Sequence, residues 1–282
     1  MKEKENKQRK NKNKTKTKKI LLKILVSILI LIIAFIIYEI ATVNNTYFIG
    51  EKNLQIPIFV YHDLVENEED IKYDYMQTTT KQFEKQMTGL MKLGYKPITY
   101  QDLAEYKEGK KAIPKWSFIV TFDDGYLGVY KYAFEIAKKL DLPITSFEIT
   151  DQVGNPGYYN WNQAREMKES GLVSIYLHGY SHIEYDKKTK EELIKETNLA
   201  EENLEKELND KNILKVFTYP YGLSTENQRE ELGKNGYIQN LTNNKINTSK
   251  NLDMNGLSRT YPLNDSVLKT LIKIHYRKIR YN

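Results

Sequence analysis

Phe118-Ile-Val-Thr-Phe-Asp-Asp-Gly-Tyr126 is an apolar, β-branched run that breaks into two adjacent carboxylates and a glycine. It is too short and too β-branched for a helix, so Ser117–Phe122 reads as an interior strand of a parallel sheet. Asp123 and Asp124 then stand at the C-terminal edge of that strand, where α/β folds place their chemistry. Neighbouring residues at a strand end point different ways, which lets the two carboxylates do different jobs. The same three residues also read as a turn with a helix cap, and the rest of the chain must decide between the two readings.

Outward from this strand the pattern repeats. Ile56-Pro-Ile-Phe-Val-Tyr61 runs into His62 and Asp63, and residues 172–177 run into His178. Residues 95–99, 142–147 and 213–219 read as further strands, and the segments 237–240 and 257–259 follow them before the last helix. Residues 80–93, 100–106, 126–140, 160–170, 189–208, 226–234 and 266–275 carry helical spacing between and after them. About seven or eight strands alternating with helices predict a parallel barrel rather than an open sheet. No glycine-rich phosphate loop follows any strand, which counts against nucleotide binding.

The amino terminus is of different composition. Of the overall charge of +6 in 282 residues, the first nineteen residues contribute +8, so the remainder is slightly acidic and nucleic acid is not an expected partner. Residues 20–40 are apolar except for Lys23, Ser27 and Glu39, and about 31 Å of helix from these residues predicts a single transmembrane anchor. The basic flank predicts a cytoplasmic N-terminus and an extracellular body on a single-pass cell-membrane protein; a cleaved signal peptide is the competing account. Residues 41–54 read as a stalk and residues 55–282 as the folded domain. The chain has no cysteine, so an outward-facing domain relies on its core and not on disulfides.

Three of the four histidines stand at strand ends, as His62 and the pair His178 and His182. The i, i+4 spacing of that pair lets two imidazoles meet one ion if the backbone is helical or tightly turned. Alone such a pair is a weak signal; beside Asp-Asp-Gly it suggests two imidazoles and one carboxylate around a divalent metal with an open position for water. One carboxylate would hold the ion and the other would take the water's proton, which is the chemistry of acyl transfer to water.

Thr121-Phe-Asp-Asp-Gly125, then His178 and His182, then Phe217-Thr-Tyr-Pro-Tyr-Gly222, resemble in that order the polysaccharide deacetylases, the carbohydrate esterase family also called NodB-homology domains. The resemblance runs from about Gln55 to Thr260 and includes Tyr61-His62 and the segment from Trp161 to Gly171. It implies a distorted (β/α)7 barrel in which Asp124, His178 and His182 bind the metal, zinc or another divalent ion, and Asp123 is the general base. It further implies that Tyr221 offers its backbone N–H to the oxyanion. Gly179 stands where the family commonly has Ser or Thr, and Thr218-Tyr219 where many members have Arg; Arg259 is the candidate replacement for that arginine.

Many members supply the acid from a late histidine, but His275 lies in a helical pattern and reads as surface or packing. His62 is the better acid, as in the branch that deacetylates poly-β-1,6-N-acetylglucosamine exopolysaccharide. Trp161, Tyr158 and Tyr159 read either as core or as platforms for a sugar ring. The expected activity is therefore removal of N-acetyl groups from N-acetylglucosamine units of an extracellular polysaccharide, in company with exopolysaccharide synthesis or export machinery. Peptidoglycan N-deacetylation is the alternative within the enzyme class. A catalytically silent glycan-binding or assembly protein is the alternative outside it.

Overall fold

The computed structural model describes residues 2–42, 46–50, 54–243, 245–250 and 252–281, with side chains for all of these except residues 2–15, 36–37, 39–42 and 277–281. Residues 1–44 and 45–282 form two separate compact units.

In the second unit seven strands pair side by side in chain order: Ile58–Tyr61 (β1), Ser117–Phe122 (β2), Ile144–Glu148 (β3), Val173–Leu177 (β4), Val216–Thr218 (β5), Ile238–Leu241 (β6) and Leu257–Thr260 (β7). Every pairing is parallel, and β7 returns to β1 with Arg259 opposite Ile58, closing a seven-stranded α/β barrel. Its distortion is local. β4 and β5 share only the Leu177–Phe217 register, and the stretch from β6 to β7 carries the short strand Asn247–Thr248 in place of a helix.

The apolar runs form strands because both of their faces are covered, and all six residues of β2 are buried. Tyr100, Leu103 and Tyr106 of helix Tyr100–Lys107 pack in one cluster with Ile58, Ile119, Phe147, Val216, Ile238 and Leu257, so side chains fill the barrel and leave no pore. Helices between the strands start on polar caps: the side chains of Thr79, Thr99, Asn160, Thr189 and Thr225 each accept a hydrogen bond from an amide three residues on.

Two expected elements are broken for identifiable reasons. Pro57, which has no N–H to donate, divides the first apolar run: Gln55–Ile56 pairs antiparallel with Asn247–Thr248, and only Ile58–Tyr61 enters the ring. The helix expected over 126–140 begins as a π-helical turn, Val129–Ala133, before Phe134–Leu140 becomes α-helical. Its entry point, Gly128, is so close to β1's extension that a Cβ there would stand 2.1 Å from Asp63 Oδ1.

The expected transmembrane anchor is corrected. The basic tail and the apolar segment form one continuous helix, Lys2–Thr42, and among the described residues no helix is long and apolar enough to cross a membrane. Lys23 and Glu39 both interrupt the apolar segment. Between Lys23 and Glu39 only 15 uncharged residues remain, about 22 Å of helix against the ~30 Å of a hydrocarbon core. Thr46–Tyr47, in the segment read as a stalk, pairs with Ile113–Pro114, and Leu54 is fully buried; residues 43–45 and 51–53 lie outside the described residues.

Candidate active site

The C-terminal ends of the ring strands bring their polar residues to one rim. Asp123 follows β2 and donates its backbone N–H to the carbonyl of Tyr61, the last residue of β1. Asp124 then takes a left-handed conformation (φ 75°) and Gly125 another (φ 82°), which turns the chain sharply and sends the two carboxylates apart. Asp123 faces Arg259 of β7. Arg259 Nη1 donates to Oδ1 at 2.7 Å and Nη2 to Oδ2 at 2.8 Å, a bidentate pair in which the residues are 1% and 3% exposed. Burial pushes the Asp123 carboxyl up, but the charges of Arg259, His178 and His62 outweigh it and hold the group below its ordinary value.

Asp124 faces the histidines. His178 Nε2 lies 3.2 Å from Asp124 Oδ1 and His182 Nε2 lies 3.4 Å from it. The pair does not sit on a helix. Gly179 (φ 86°) and His182 (φ 57°) make a tight turn after β4, and Glu196 braces it by accepting from the Ser181 N–H and hydroxyl. Gly179 has a steric explanation: a Cβ there would stand 2.6 Å from the Tyr185 hydroxyl, which fills the space a Ser or Thr side chain would need. Gly179→Ser is therefore expected to destabilise the fold by about 1–3 kcal/mol, with Tyr185→Phe recovering only part of the loss because the left-handed backbone remains. Chemical denaturation of the two variants measures this, and an unchanged midpoint for Gly179→Ser would refute it.

The donor set fits a divalent cation. One atom each from Asp124, His178 and His182 lies within 4.8 Å of the others. His178 Nδ1 is 2.8 Å from the Thr218 carbonyl, which can only accept, so Nδ1 carries a proton and Nε2 is the nitrogen left to offer a lone pair to a cation beside Asp124. Asp124 Oδ1 is correspondingly buried without a hydrogen-bond partner. A lone pair facing a buried carboxylate oxygen is repulsive unless positive charge stands between or beside them. His178 is indeed held above its ordinary pKa, because contact with Asp124 and the nearby carboxylates outweigh burial, and Asp124 is held far below its own by His178 and His182 against the effect of burial.

All seven side chains singled out from the sequence line a single cavity of about 740 Å³: His62, Asp123, Asp124, His178, His182, Tyr221 and Arg259. His62 stacks parallel to Tyr261 at 6.0 Å, its Nδ1 is buried without a partner, and burial lowers its pKa. Tyr221 holds a left-handed conformation (φ 59°), is 62% exposed, and sets its ring 4.6 Å from that of His182. Tyr261, Thr242 and Tyr75 also line the wall without having been singled out. Tyr261 stands one residue beyond the end of β7, so the strand-end rule that picks out Asp123 would also have found it.

Other expectations change place. Tyr159 is fully buried and cannot stack on a sugar; its hydroxyl bonds Ser146 and Glu148. Tyr158 stacks on Tyr126 at 5.2 Å beside the site, and Trp161 opens a helix. His275 packs edge-on to Trp116 and is absent from the cavity wall. Glu148, the fully buried end of β3, was not singled out either; burial first, and Asp124 in addition, push its carboxyl up to about 7.

A barrel whose strand ends gather a carboxylate with two imidazoles, and a second carboxylate held by arginine, defines the site of a hydrolase able to hold a metal ion. Residues 110–239 match the family model for polysaccharide deacetylase. Over 228 residues the chain is 28% identical to the poly-beta-1,6-N-acetyl-D-glucosamine N-deacetylase of Staphylococcus epidermidis, covering 77% of this chain and 78% of that one. The Staphylococcus aureus protein of the same name is 32% identical over 168 residues, 55% of this chain and 57% of its own. In fold the chain is similar to the Streptococcus pyogenes deacetylase PplD, solved in complex with acetate, with a TM-score of 0.70 and 22% identity over 79% of this chain and 99% of that one. By the family match, residues 110–239 are similar to the polysaccharide deacetylases, hydrolases of non-peptide carbon–nitrogen bonds.

Proposed function

We propose that the protein removes N-acetyl groups from N-acetylglucosamine units of an extracellular polysaccharide, poly-β-1,6-N-acetylglucosamine, using a zinc ion held by Asp124, His178 and His182. The observation that carries this reading is the separation of the paired carboxylates, Asp124 toward the histidines and Asp123 toward Arg259, in a chain similar over most of its length to the S. epidermidis deacetylase of that glycan. Two nitrogens and one oxygen suit zinc and leave a position open. When bound, such an ion acidifies water and polarises the amide carbonyl, which lets a carboxylate as weakly basic as Asp123 serve as the base.

Each residue of this chain then has a task. Asp123 takes the water's proton on a carboxylate oxygen whose second lone pair is not engaged by Arg259. Arg259 fixes the plane of that carboxylate and keeps it ionised. Tyr221, held left-handed on its loop, directs its backbone N–H toward the developing oxyanion. Burial holds the His62 imidazole below its ordinary pKa; protonated from solvent, it delivers that proton to the leaving amine, and Tyr261 stacks against its ring. Arg259, reaching Asp123 from β7, supplies a guanidinium where the sequence lacks one, which favours an active enzyme over a silent glycan binder.

Acetate release from β-1,6- and β-1,4-linked N-acetylglucosamine oligomers tests the substrate. The reading predicts turnover of the β-1,6 oligomers at least about tenfold above that of the β-1,4 oligomers, a difference of about 1.4 kcal/mol in transition-state binding. Preference for the β-1,4 linkage would replace it with peptidoglycan deacetylation.

A further inference from the structure

The buried carboxyl of Glu148 lies behind the Asp-Asp-Gly turn and takes no part in the steps above. It is the last residue of β3, which runs between β2 and β4, the strands that deliver Asp124 and His178. Its backbone carbonyl accepts the N–H of His178 at 2.8 Å. Its side chain points the other way. Oε1 accepts from the Tyr159 hydroxyl, and Oε2, without a hydrogen-bond partner among the described residues, rests on Gly125, where a Cβ would stand 2.2 Å from it. Tyr159 closes the loop by donating its own N–H to the Gly125 carbonyl at 3.2 Å. One residue thus touches the backbone of His178 with its main chain and the residue after Asp124 with its side chain.

Resting on the reading of Asp124, His178 and His182 as a metal site, we infer that Glu148 is a positioning residue that, with Tyr159, sets the spacing between Asp124 and His178 and so the affinity of the site for its ion. A fully buried carboxyl costs the fold unless it is used, and among the described residues its side-chain hydrogen bonds are to Tyr159 and Ser146. The close fit of Oε2 on Gly125 means the turn cannot shift toward β3 without collision and, with the Tyr159 bond in place, cannot drift away from it.

The test titrates the full chain with Co2+ and reads both the dissociation constant and the visible d–d absorption, so that neither substrate nor turnover enters. Glu148→Gln keeps the shape and the acceptor for Tyr159, and is expected to bind within about threefold of wild type with the same spectrum. Glu148→Leu and Tyr159→Phe remove the bond and are expected to bind about tenfold more weakly or worse, with altered band intensities, since outer partners of metal ligands typically carry 10–100-fold in affinity. Tyr159→Phe keeps the ring that fills the space, so it reports even if Glu148→Leu does not fold. Wild-type affinity and spectrum in Tyr159→Phe and in folded Glu148→Leu would overturn the inference while leaving the metal site standing. Absence of Co2+ binding by the wild-type chain would overturn both.

Discussion

Asp123→Asn is expected to lower acetate release by about 10²- to 10⁴-fold, the range a positioned general base contributes. The amide cannot accept the water's proton, and its geometry otherwise matches the carboxylate. The variant also loses stability, because Arg259 is left charged, 1% exposed and facing a neutral group. Removing one partner of a buried pair costs about 3–5 kcal/mol. The two effects separate in Asp123→Asn/Arg259→Met, where no buried charge remains at this position. Stability should return toward wild type while activity stays lost, so a double variant that recovers both would remove Asp123 from the role of base.

Arg259→Met should cost about 3–5 kcal/mol in unfolding free energy by leaving the Asp123 carboxylate buried without its fork. It should also lower turnover by about 10²-fold or more, since the carboxylate loses the contacts that fix its plane. The pH dependence has a definite sign. Arg259 helps hold Asp123 below its ordinary value, so the native chain keeps an ionised base well into the acid range. Without Arg259, burial dominates and the carboxyl titrates higher, and the acid limb of the pH–rate profile moves to higher pH. By the same linkage, the stability that Asp123 contributes is present above its unfolded pKa and lost as pH falls through its depressed folded pKa; in the variant this acid-labile contribution disappears. Arg259→Lys keeps the charge without the fork and should fall between the two. A pH–rate profile with an unmoved acid limb would contradict the account.

Much of the barrel is legible in the sequence because burial on both faces leaves uninterrupted apolar strands, and the groups that end them are few. Asp123, Asp124, His62 and His178 stand out because each follows such a run. Glu148 and Tyr261 end strands of the same kind, and no neighbouring motif draws attention to them. The break at Pro57 follows from its missing N–H, and the π-turn after Gly128 from the close approach of Asp63; the first can be read locally and the second only once β1 and β2 are side by side. Tyr159 looks like a surface aromatic on a Gly/Pro loop, but the long-range bond to Glu148 buries it. The space taken by Tyr185 above Gly179 is likewise invisible without the tertiary contact. The amino-terminal helix shows the opposite error. Its apolar composition suggests a spanning segment, while among the described residues no helix is long and apolar enough to cross a membrane.

Two adjacent carboxylates with different tasks should differ in their effect on metal content, and counting metal tests this most directly. The full chain is loaded with Zn2+, freed of unbound ion by gel filtration and assayed for zinc by atomic absorption. About one ion per chain is predicted in the wild type and in Asp123→Asn, with little or none in Asp124→Ala. Loss of the ion from Asp123→Asn together with full occupancy in Asp124→Ala would contradict the assignment.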